Sequence, residues 1–292
     1  MNDKLNNQWV RGSIYYDRTS FPHLLKDGIF PFIRKNKLID LYFVHFSFWS
    51  RDHINVTLKS IDQDNQRLES QFLDFMDRFL LENPSQTSDL TYKFYPNNTA
   101  WNNQYYETDF YSFNTVAVNN LRVNISDAMQ LFGNVETIDR KTVFSFIVYL
   151  QLGIFRAYYP SLSDTQTIIN DLLHLLDEAN EATTNPKLKY TKTSDSFLLE
   201  NKAVLTEISE EIWSDLSKNK NLKWLFTWIN ACSTFSGEMN FKEHFSLLSQ
   251  VICEHIGIPN ISNLFMISSF HETPLIKWEK THSTKIKLSN QA

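Results

Sequence analysis

Apolar and polar positions in the N-terminal part of the chain predict three β-strands and one helix. Residues 9–16 are rich in β-forming side chains, which predicts the first strand. Between 21 and 37 the apolar positions recur at helical spacing, and Pro31 should kink this helix or begin a fresh first turn. The segment 39–48 predicts a strand buried on both faces, whereas the alternation over 53–59 predicts a strand with one buried face. Because only a short break separates them, these two strands should form an antiparallel hairpin.

The rest of the chain has a mostly helical pattern. An amphipathic repeat over 67–82 predicts a long surface helix. Ser126 and Asp127 can cap a helix that runs through Phe132. Further helices are predicted from Asp139 to Tyr159, from Ser163 onward, and over 203–216, 222–235 and 241–256, with a polar surface connection at 183–196.

A polar, asparagine-rich segment at 83–104 interrupts the helical pattern and is the candidate for a mobile loop. A short strand is predicted inside it at 90–95. The chain has no internal repeat, and we expect residues 1–292 to form a single domain. The predicted fold class is α+β, with an N-terminal mixed or antiparallel sheet layer covered by a largely helical remainder.

Composition excludes several familiar kinds of site. The chain has only 6 glycines, and no GxGxxG, GxxxxGK[ST] or GxSxG pattern occurs, which argues against nucleotide sites and hydrolase elbows. No HExxH or His-x-His pattern occurs, which argues against a metal site. A net charge of -5 provides no electrostatic basis for binding nucleic acid. We therefore expect neither a cofactor nor a nucleic-acid partner.

Cysteine usage and hydropathy indicate the cellular compartment. Cys232 and Cys253 lie in apolar helical segments and are expected to be buried free thiols in a reducing environment. The N-terminal residues lack the apolar stretch of a signal peptide. The longest apolar run, 143–159, is interrupted by polar side chains and is shorter than the roughly 20 residues of a membrane span. These features predict a soluble, cytoplasmic protein without a membrane segment.

Three segments combine titratable, hydroxyl and aromatic side chains and are the candidates for chemistry. They cover residues 45–53 in the predicted hairpin, 104–111 after the polar segment, and 267–274 near the end of the chain. The first contains two histidines, two serines and an arginine. Taken alone, each segment would be interpreted as structural.

The order of several short motifs changes that interpretation. They are Trp9 at the first strand, the helix segment 24–31, the strands 43–47 and 53–58, the middle stretches 106–109 and 127–132, and the pair Ser268 and His271. Together they resemble the thiopeptide-type bacteriocin biosynthesis domain over nearly the whole chain. That domain is the glutamate-eliminating C-terminal part of class I lanthipeptide dehydratases. Stand-alone copies act in split dehydratases or as pyridine synthases, so the resemblance implies an elimination-domain-like α+β fold.

Three positions depart from the elimination pattern, which has arginines on the two hairpin strands. This chain has His45, Asn55 and Thr57 there. Eliminating glutamate from a glutamylated Ser or Thr requires a cationic site for the departing carboxylates, and arginine supplies a permanently charged fork. Asn and Thr are neutral, and His45 is only partly protonated near neutral pH. The resemblance therefore implies a pyridine synthase rather than an eliminase.

A pyridine synthase joins two dehydroalanines of one modified precursor peptide in a formal [4+2] cycloaddition. Loss of water and of the leader peptide then gives the pyridine at the centre of a macrocycle. The two alkenes must be held close together, and the amide of the diene must be held as its iminol tautomer. The implied partners are the precursor peptide, with its leader and its dehydrated, azole-containing core, and other enzymes of the same pathway. No cofactor is implied.

The resemblance and the polar segments together select eight candidate site residues. The candidate catalytic residues, acting by hydrogen bonding or proton transfer, are Ser47, His53, Ser268 and His271. The candidate substrate-binding residues are His45, Trp49, Tyr105 and Tyr106.

Two other functions stay open from the sequence. One is the glutamate-eliminating subunit of a split dehydratase, which guanidinium groups recruited to the site from Arg11, Arg51 or Arg122 would favour. The other is a non-catalytic scaffold that binds the leader peptide.

Overall fold

The computed structural model of the chain describes residues 9–47, 52–86, 96–102, 115–159, 207–208, 210–214, 216–235 and 241–257. The chain divides into two compact units. The first comprises Met1–Arg140 with Glu254–Ile258, and the second comprises Lys141–Cys253 with Pro259–Ala292. That residues 1–292 form a single domain stays a prediction.

A four-stranded antiparallel sheet is the centre of the first unit. Its strands are β1 (Val10–Tyr15), β2 (Ile39–Ser47), β3 (His53–Ser60) and β4 (Thr99–Asn102). Their spatial order is β2-β3-β1-β4. β2 and β3 form the predicted antiparallel hairpin, and β1 pairs antiparallel with both β3 and β4. The prediction of an α+β fold with an N-terminal sheet layer is confirmed.

One face of this sheet is apolar and carries the core of the first unit. Phe46, Ile54 and Ile14 lie opposite one another across β2, β3 and β1, and all three are buried. The ring of Phe46 stacks on Phe21, with ring centroids 5.8 Å apart. Gly12 lies on this face directly under Phe72, whose Cε1 would be 2.3 Å from an added Cβ. Only a residue without a side chain allows the helix that carries Phe72 to approach so closely.

The burial of the hairpin strands differs from the prediction. β3 was expected to bury one face, but its polar residues His53, Asn55 and Thr57 are buried as well as its apolar ones. β2 was expected to be buried on both faces throughout, but this holds only for Phe43–Phe46, and the beginning of the strand is partly exposed. Alternation of residue type correctly separates the two faces, but it does not show that both are covered.

The first helical segment is irregular, and Pro31 explains where it changes. A 3₁₀ turn at Arg18–Ser20 leads into α1 (Phe21–His23), a π-helix (Leu24–Ile29) and α2 (Phe30–Lys35). Pro31 lies in the first turn of α2. Because proline has no N–H to donate to the preceding turn, a fresh helical start after a wider π turn accommodates it. The alternative of a fresh first turn at Pro31 is thereby confirmed.

Two longer helices complete the first unit. α3 (Asn65–Glu82) matches the predicted amphipathic helix, and the Asp64 side chain caps it by accepting from the Arg67 N–H at 3.1 Å. α4 (Val116–Ala128) is capped by Thr115, whose hydroxyl oxygen accepts from the Val118 N–H at 3.3 Å. A 3₁₀ helix (Met129–Asn134) follows it.

The predicted helix start at Ser126 and Asp127 is wrong. Both residues lie in the last turn of α4 rather than before a helix. The Ser126 hydroxyl donates to the Arg122 carbonyl at 2.8 Å and accepts from the Val44 N–H at 3.0 Å. A side chain that suits an N-cap is used here for a contact between helix and sheet, which local sequence does not reveal.

The polar segment predicted as a loop is tied at both described ends. The Ser85 N–H donates to Asn98 Oδ1 at 2.8 Å, and Asn97 Nδ2 donates to the Ser85 hydroxyl at 2.8 Å. β4 follows directly, so part of the segment belongs to the sheet. The predicted strand at 90–95 lies outside the described residues, and the mobility of the segment stays a prediction.

The second unit is helical where it is described. Its helices are α5 (Arg140–Tyr158), α6 (Lys223–Phe235) and α7 (Phe241–Ile256), and residues 207–208 and 210–213 are also helical. The indole N–H of Trp228 donates to the Leu150 carbonyl at 2.8 Å and joins α6 to α5. The predicted helices at 139–159, 222–235 and 241–256 are confirmed, whereas the one from Ser163 and the connection at 183–196 lie outside the described residues. The last residues of α7 count with the first unit.

Two further sequence expectations concern thiols and membranes. Cys232 and Cys253 are both buried thiols that form no disulfide, as predicted. Among the described residues, no helix combines the length and apolar character that crossing a membrane requires. A cytoplasmic location stays a prediction.

Candidate functional site

The face of the sheet opposite the apolar core is lined by polar side chains, and we call it the polar face. Residues directly opposite each other in antiparallel strands project to the same side. One row therefore consists of His45, Asn55, Ser13 and Trp101, from β2 across to β4. The next row consists of Ser47, His53, Tyr15 and Thr99, and the row on the other side contains Phe43, Thr57 and Arg11.

Ser47 and Thr99 are only partly buried, but six polar side chains of these three rows are buried. Their relative exposures are Arg11 8%, Ser13 1%, His45 0%, His53 8%, Asn55 7% and Thr57 1%. Burying polar groups costs free energy unless they are hydrogen-bonded. Ser13 meets this demand by donating its hydroxyl to Asn55 Oδ1 at 2.5 Å. A buried face of this composition stabilises the fold less than an apolar one, so its polarity points to a chemical role.

Three of the eight predicted site residues are described, and all three lie on this face. Ser47 at the end of β2 is directly opposite His53 at the start of β3. The His53 ring also packs on Tyr15, with ring centroids 4.7 Å apart. His45 lies two residues before Ser47 and so projects to the same side. Trp49, Tyr105, Tyr106, Ser268 and His271 lie outside the described residues, and their convergence on this face stays a prediction.

His255 is a site residue that the sequence interpretation missed. It lies in the last turn of α7, is fully buried, and its Nδ1 is 2.9 Å from the Val44 carbonyl oxygen. Because a carbonyl only accepts, Nδ1 must carry the proton, which leaves Nε2 of the neutral ring as an acceptor. The His255 ring packs edge-to-face on His45, with centroids 4.6 Å apart and planes at 71°. Local sequence does not mark His255, because 211 residues separate it from Val44.

Both histidines are neutral at neutral pH. Burial lowers the pKa of His45 well below its usual value, and the neighbouring groups His255, Arg122 and Arg11 lower it further. Burial and the Arg122 charge lower the pKa of His255 to about 3. The expectation that His45 is partly protonated near neutral pH is therefore wrong. These imidazoles can donate and accept hydrogen bonds but do not supply positive charge.

Positive charge comes instead from two arginines outside the hairpin. Arg122 of α4 is fully buried and directs Nη2 and Nη1 to Glu254 Oε2, at 2.9 and 3.2 Å. Arg11 lies on the polar face opposite Thr57. Both are close enough to affect the pKa of His45, in contrast to the expectation of a site that has lost its arginines. The sequence did not place them because β1 and α4 are brought to the hairpin only by the fold.

The chemistry available at this face is hydrogen bonding, proton relay and local electrostatics. Among the described residues, no cluster of three or more His, Cys, Asp or Glu side chains could hold a metal ion. Hydroxyl, amide and neutral imidazole groups are those that hold an amide in one tautomer or pass a proton between its atoms. The absence of a cofactor stays a prediction.

The fold of the chain is similar to that of a solved pyridine synthase. The solved structure titled "Pyridine synthase, TbtD, from thiomuracin biosynthesis" superposes with a TM-score of 0.64 at 10% sequence identity. The match covers 95% of this chain and 99% of that chain. No protein-family model and no curated protein matches the sequence. The resemblance inferred from the ordered motifs is thus confirmed at the level of the fold.

Proposed function

We propose that the chain is a thiopeptide pyridine synthase, which joins two dehydroalanines of a modified precursor peptide in a formal [4+2] cycloaddition. One observation carries the proposal: a buried polar face built around neutral His45, on a fold that matches a pyridine synthase over 95% of the chain. The substrate is a precursor peptide with a leader and a dehydrated, azole-containing core. Other enzymes of the same pathway are further partners.

The polar face supplies the two things that the cycloaddition requires. The alkenes must be held at near-attack distance, which lowers the barrier by removing motional freedom before the reaction. The amide of the diene must be held as its iminol, with the proton moved from nitrogen to oxygen. His53 and Ser47, opposite each other in register, can accept and donate in that transfer, and neutral His45 lies in the next row.

The later steps balance without an external reagent. Cycloaddition forms two carbon–carbon bonds and a six-membered ring that contains the former amide nitrogen. Loss of the iminol oxygen as water and of the leader peptide as its amide makes the ring aromatic. Each loss moves a proton to a departing group, which is a role for hydroxyl and imidazole side chains.

The direct test is incubation of the purified chain with a linear azole peptide that carries two dehydroalanines and the leader. Mass spectrometry should show a macrocycle together with the released leader amide. His53→Ala should lower this rate strongly, and His23→Ala, at an exposed histidine on α1, should not. Unchanged starting material with a correctly folded sample would refute the proposal. Product formation in the pathway that persists with His53→Ala would favour the scaffold instead.

A glutamate eliminase is the second candidate, because two arginines act electrostatically on His45. Guanidinium groups bind departing carboxylates well. The distinguishing substrate is a peptide glutamylated on Ser or Thr, and the readout is loss of glutamate with formation of the alkene. Arg11→Gln should abolish that reaction, because the permanent charge of Arg11 on the polar face would be lost. Elimination by the wild type, without cycloaddition of the dehydrated peptide, would establish this alternative.

A further inference from the structure

Trp101 is an exposed aromatic side chain at the end of a row of buried polar ones. It lies on β4 directly opposite Ser13, so it shares the face of Ser13, Asn55 and His45. It is 48% exposed, whereas those three residues are between 0% and 7% exposed. At β4 this row of the polar face therefore ends in an indole ring that is accessible to solvent.

The indole is held in place by its own strand. Its Nε1–H donates to the Thr99 hydroxyl oxygen at 2.9 Å, and that hydroxyl donates to the Pro96 carbonyl at 2.6 Å. The one polar atom of the side chain is thus satisfied locally, and what remains available is the flat apolar ring. A large aromatic surface fixed before binding loses little conformational freedom when a ligand stacks on it.

The position fits a ring of the substrate rather than the reacting atoms. Neighbouring strands are about 4.8 Å apart, so Trp101 is about 14 Å from His45 across the sheet. A few residues of extended peptide span that distance. The proposed substrate contains azoles, which are planar heteroaromatic rings, and such rings stack on indole.

We propose that Trp101 is an aromatic subsite that binds one azole ring of the precursor peptide at the solvent edge of the polar face. This inference rests on the proposed function and adds a specificity element to it. The ligand class is a neutral, planar heteroaromatic ring within a peptide. Because Trp101 lies at the end of its row, about 14 Å from His45, it acts on binding and selects azole-bearing peptides over unmodified ones.

The test uses two unreactive peptides, each with the dehydroalanines replaced by alanine. One carries the azoles and the other carries the unmodified residues in their places. Isothermal titration calorimetry should show that Trp101→Ala raises the Kd for the azole peptide about tenfold and leaves the Kd for the unmodified peptide unchanged. Trp101→Phe should retain most of the affinity because it keeps a ring.

Phe226→Ala is the matched control, since Phe226 on α6 is a similarly exposed aromatic residue at 44%. It should change neither Kd, and thermal melting should show that all variants are folded. An unchanged Kd for the azole peptide in Trp101→Ala, or an equal loss for both peptides, overturns the subsite. If the wild type converts no dehydrated azole peptide, the proposed function fails and the subsite fails with it. If the wild type converts that peptide but Trp101→Ala binds the unreactive azole peptide with an unchanged Kd, only the subsite is refuted.

Discussion

The two faces of the sheet are built from the same strands but bury opposite kinds of side chain. On one, Ile14, Ile54 and Phe46 pack against helices, and their burial favours folding directly. On the other, Ser13 and Asn55 are buried almost as completely. Their hydrogen bond stabilises the fold only by the small net free energy that remains after both groups are desolvated. Under the proposed function, the apolar face supplies stability and the polar face supplies chemistry. Substitutions on the apolar face should therefore mainly lower the free energy of unfolding, and substitutions of the proposed reacting groups on the polar face should mainly lower the reaction rate.

The largest effect is expected on the apolar face. Phe46→Ala removes a ring that is 1% exposed and packs on Phe21 and Phe132, so it should lower the free energy of unfolding by about 3–5 kcal/mol. Urea unfolding followed by circular dichroism measures this change. The exposed Phe226→Ala should change it by less than about 0.5 kcal/mol. A small loss for Phe46→Ala would mean that this face is not the core.

The next effect is expected in the rate and not in the fold. His53→Gln removes a group able to relay a proton and should lower kcat about 100-fold, while the unfolding free energy changes by about 1 kcal/mol. The comparison with His23→Gln, on the surface, controls for the loss of a histidine as such. A loss of stability that matched the loss of rate would remove the distinction between the two faces.

The buried histidines predict how stability depends on pH. The pKa of His45 is lowered, and that of His255 is about 3 in the folded state against about 6.5 when unfolded. The unfolded chain therefore binds more protons, and stability, complete above pH 6.5, falls as the pH falls toward 3. His255 contributes about 1.4 kcal/mol per pH unit within this window, and His45 contributes in the same direction. His255→Asn keeps a donor for the Val44 carbonyl but cannot titrate.

Urea unfolding at several pH values measures this slope in the wild type and in His255→Asn. The variant should lose stability more gradually below pH 6.5. Identical slopes in the two proteins would show that His255 is not held neutral by the fold.

The smallest effect concerns the hydrogen bond within the polar face. Ser13→Ala leaves Asn55 Oδ1 without its donor and should cost about 1 kcal/mol of unfolding free energy. Thr227→Ala, at an exposed hydroxyl that donates to the Lys223 carbonyl, is the matched control and should be close to neutral. An effect of Ser13→Ala no larger than that of the control would mean that this buried pair is not held together by its hydrogen bond.

Much of this fold follows from local patterns. Because a β-strand turns every second residue to the same face, the predicted strand over 39–48 puts His45 and Ser47 on one side, whereas their register with His53 is seen only in the structure. Helical spacing located α3, α6 and α7. These features depend on residues close together in the chain, so sequence reasoning reaches them.

The remaining site residues depend on distant contacts. Arg11 and Ser13 join the polar face only because β1 pairs with β3, and Arg122 and His255 arrive from helices. Nothing in their local sequence marks them. The same reason explains the error at Ser126, whose hydroxyl is used by Val44 of a strand.

β2 is an edge strand of the sheet, and side chains from helices bond the backbone groups of Val44 on its outer edge. The backbone N–H of Val44 donates to the Ser126 hydroxyl, and the Val44 carbonyl accepts from the His255 ring. Both partners are side chains on helices rather than the backbone of a neighbouring strand. An open strand edge is a template for intermolecular pairing and fibril growth. Ser126 and His255 thus occupy the two backbone groups of Val44 with which a strand of another copy would pair, and this blocks edge-to-edge pairing at this point.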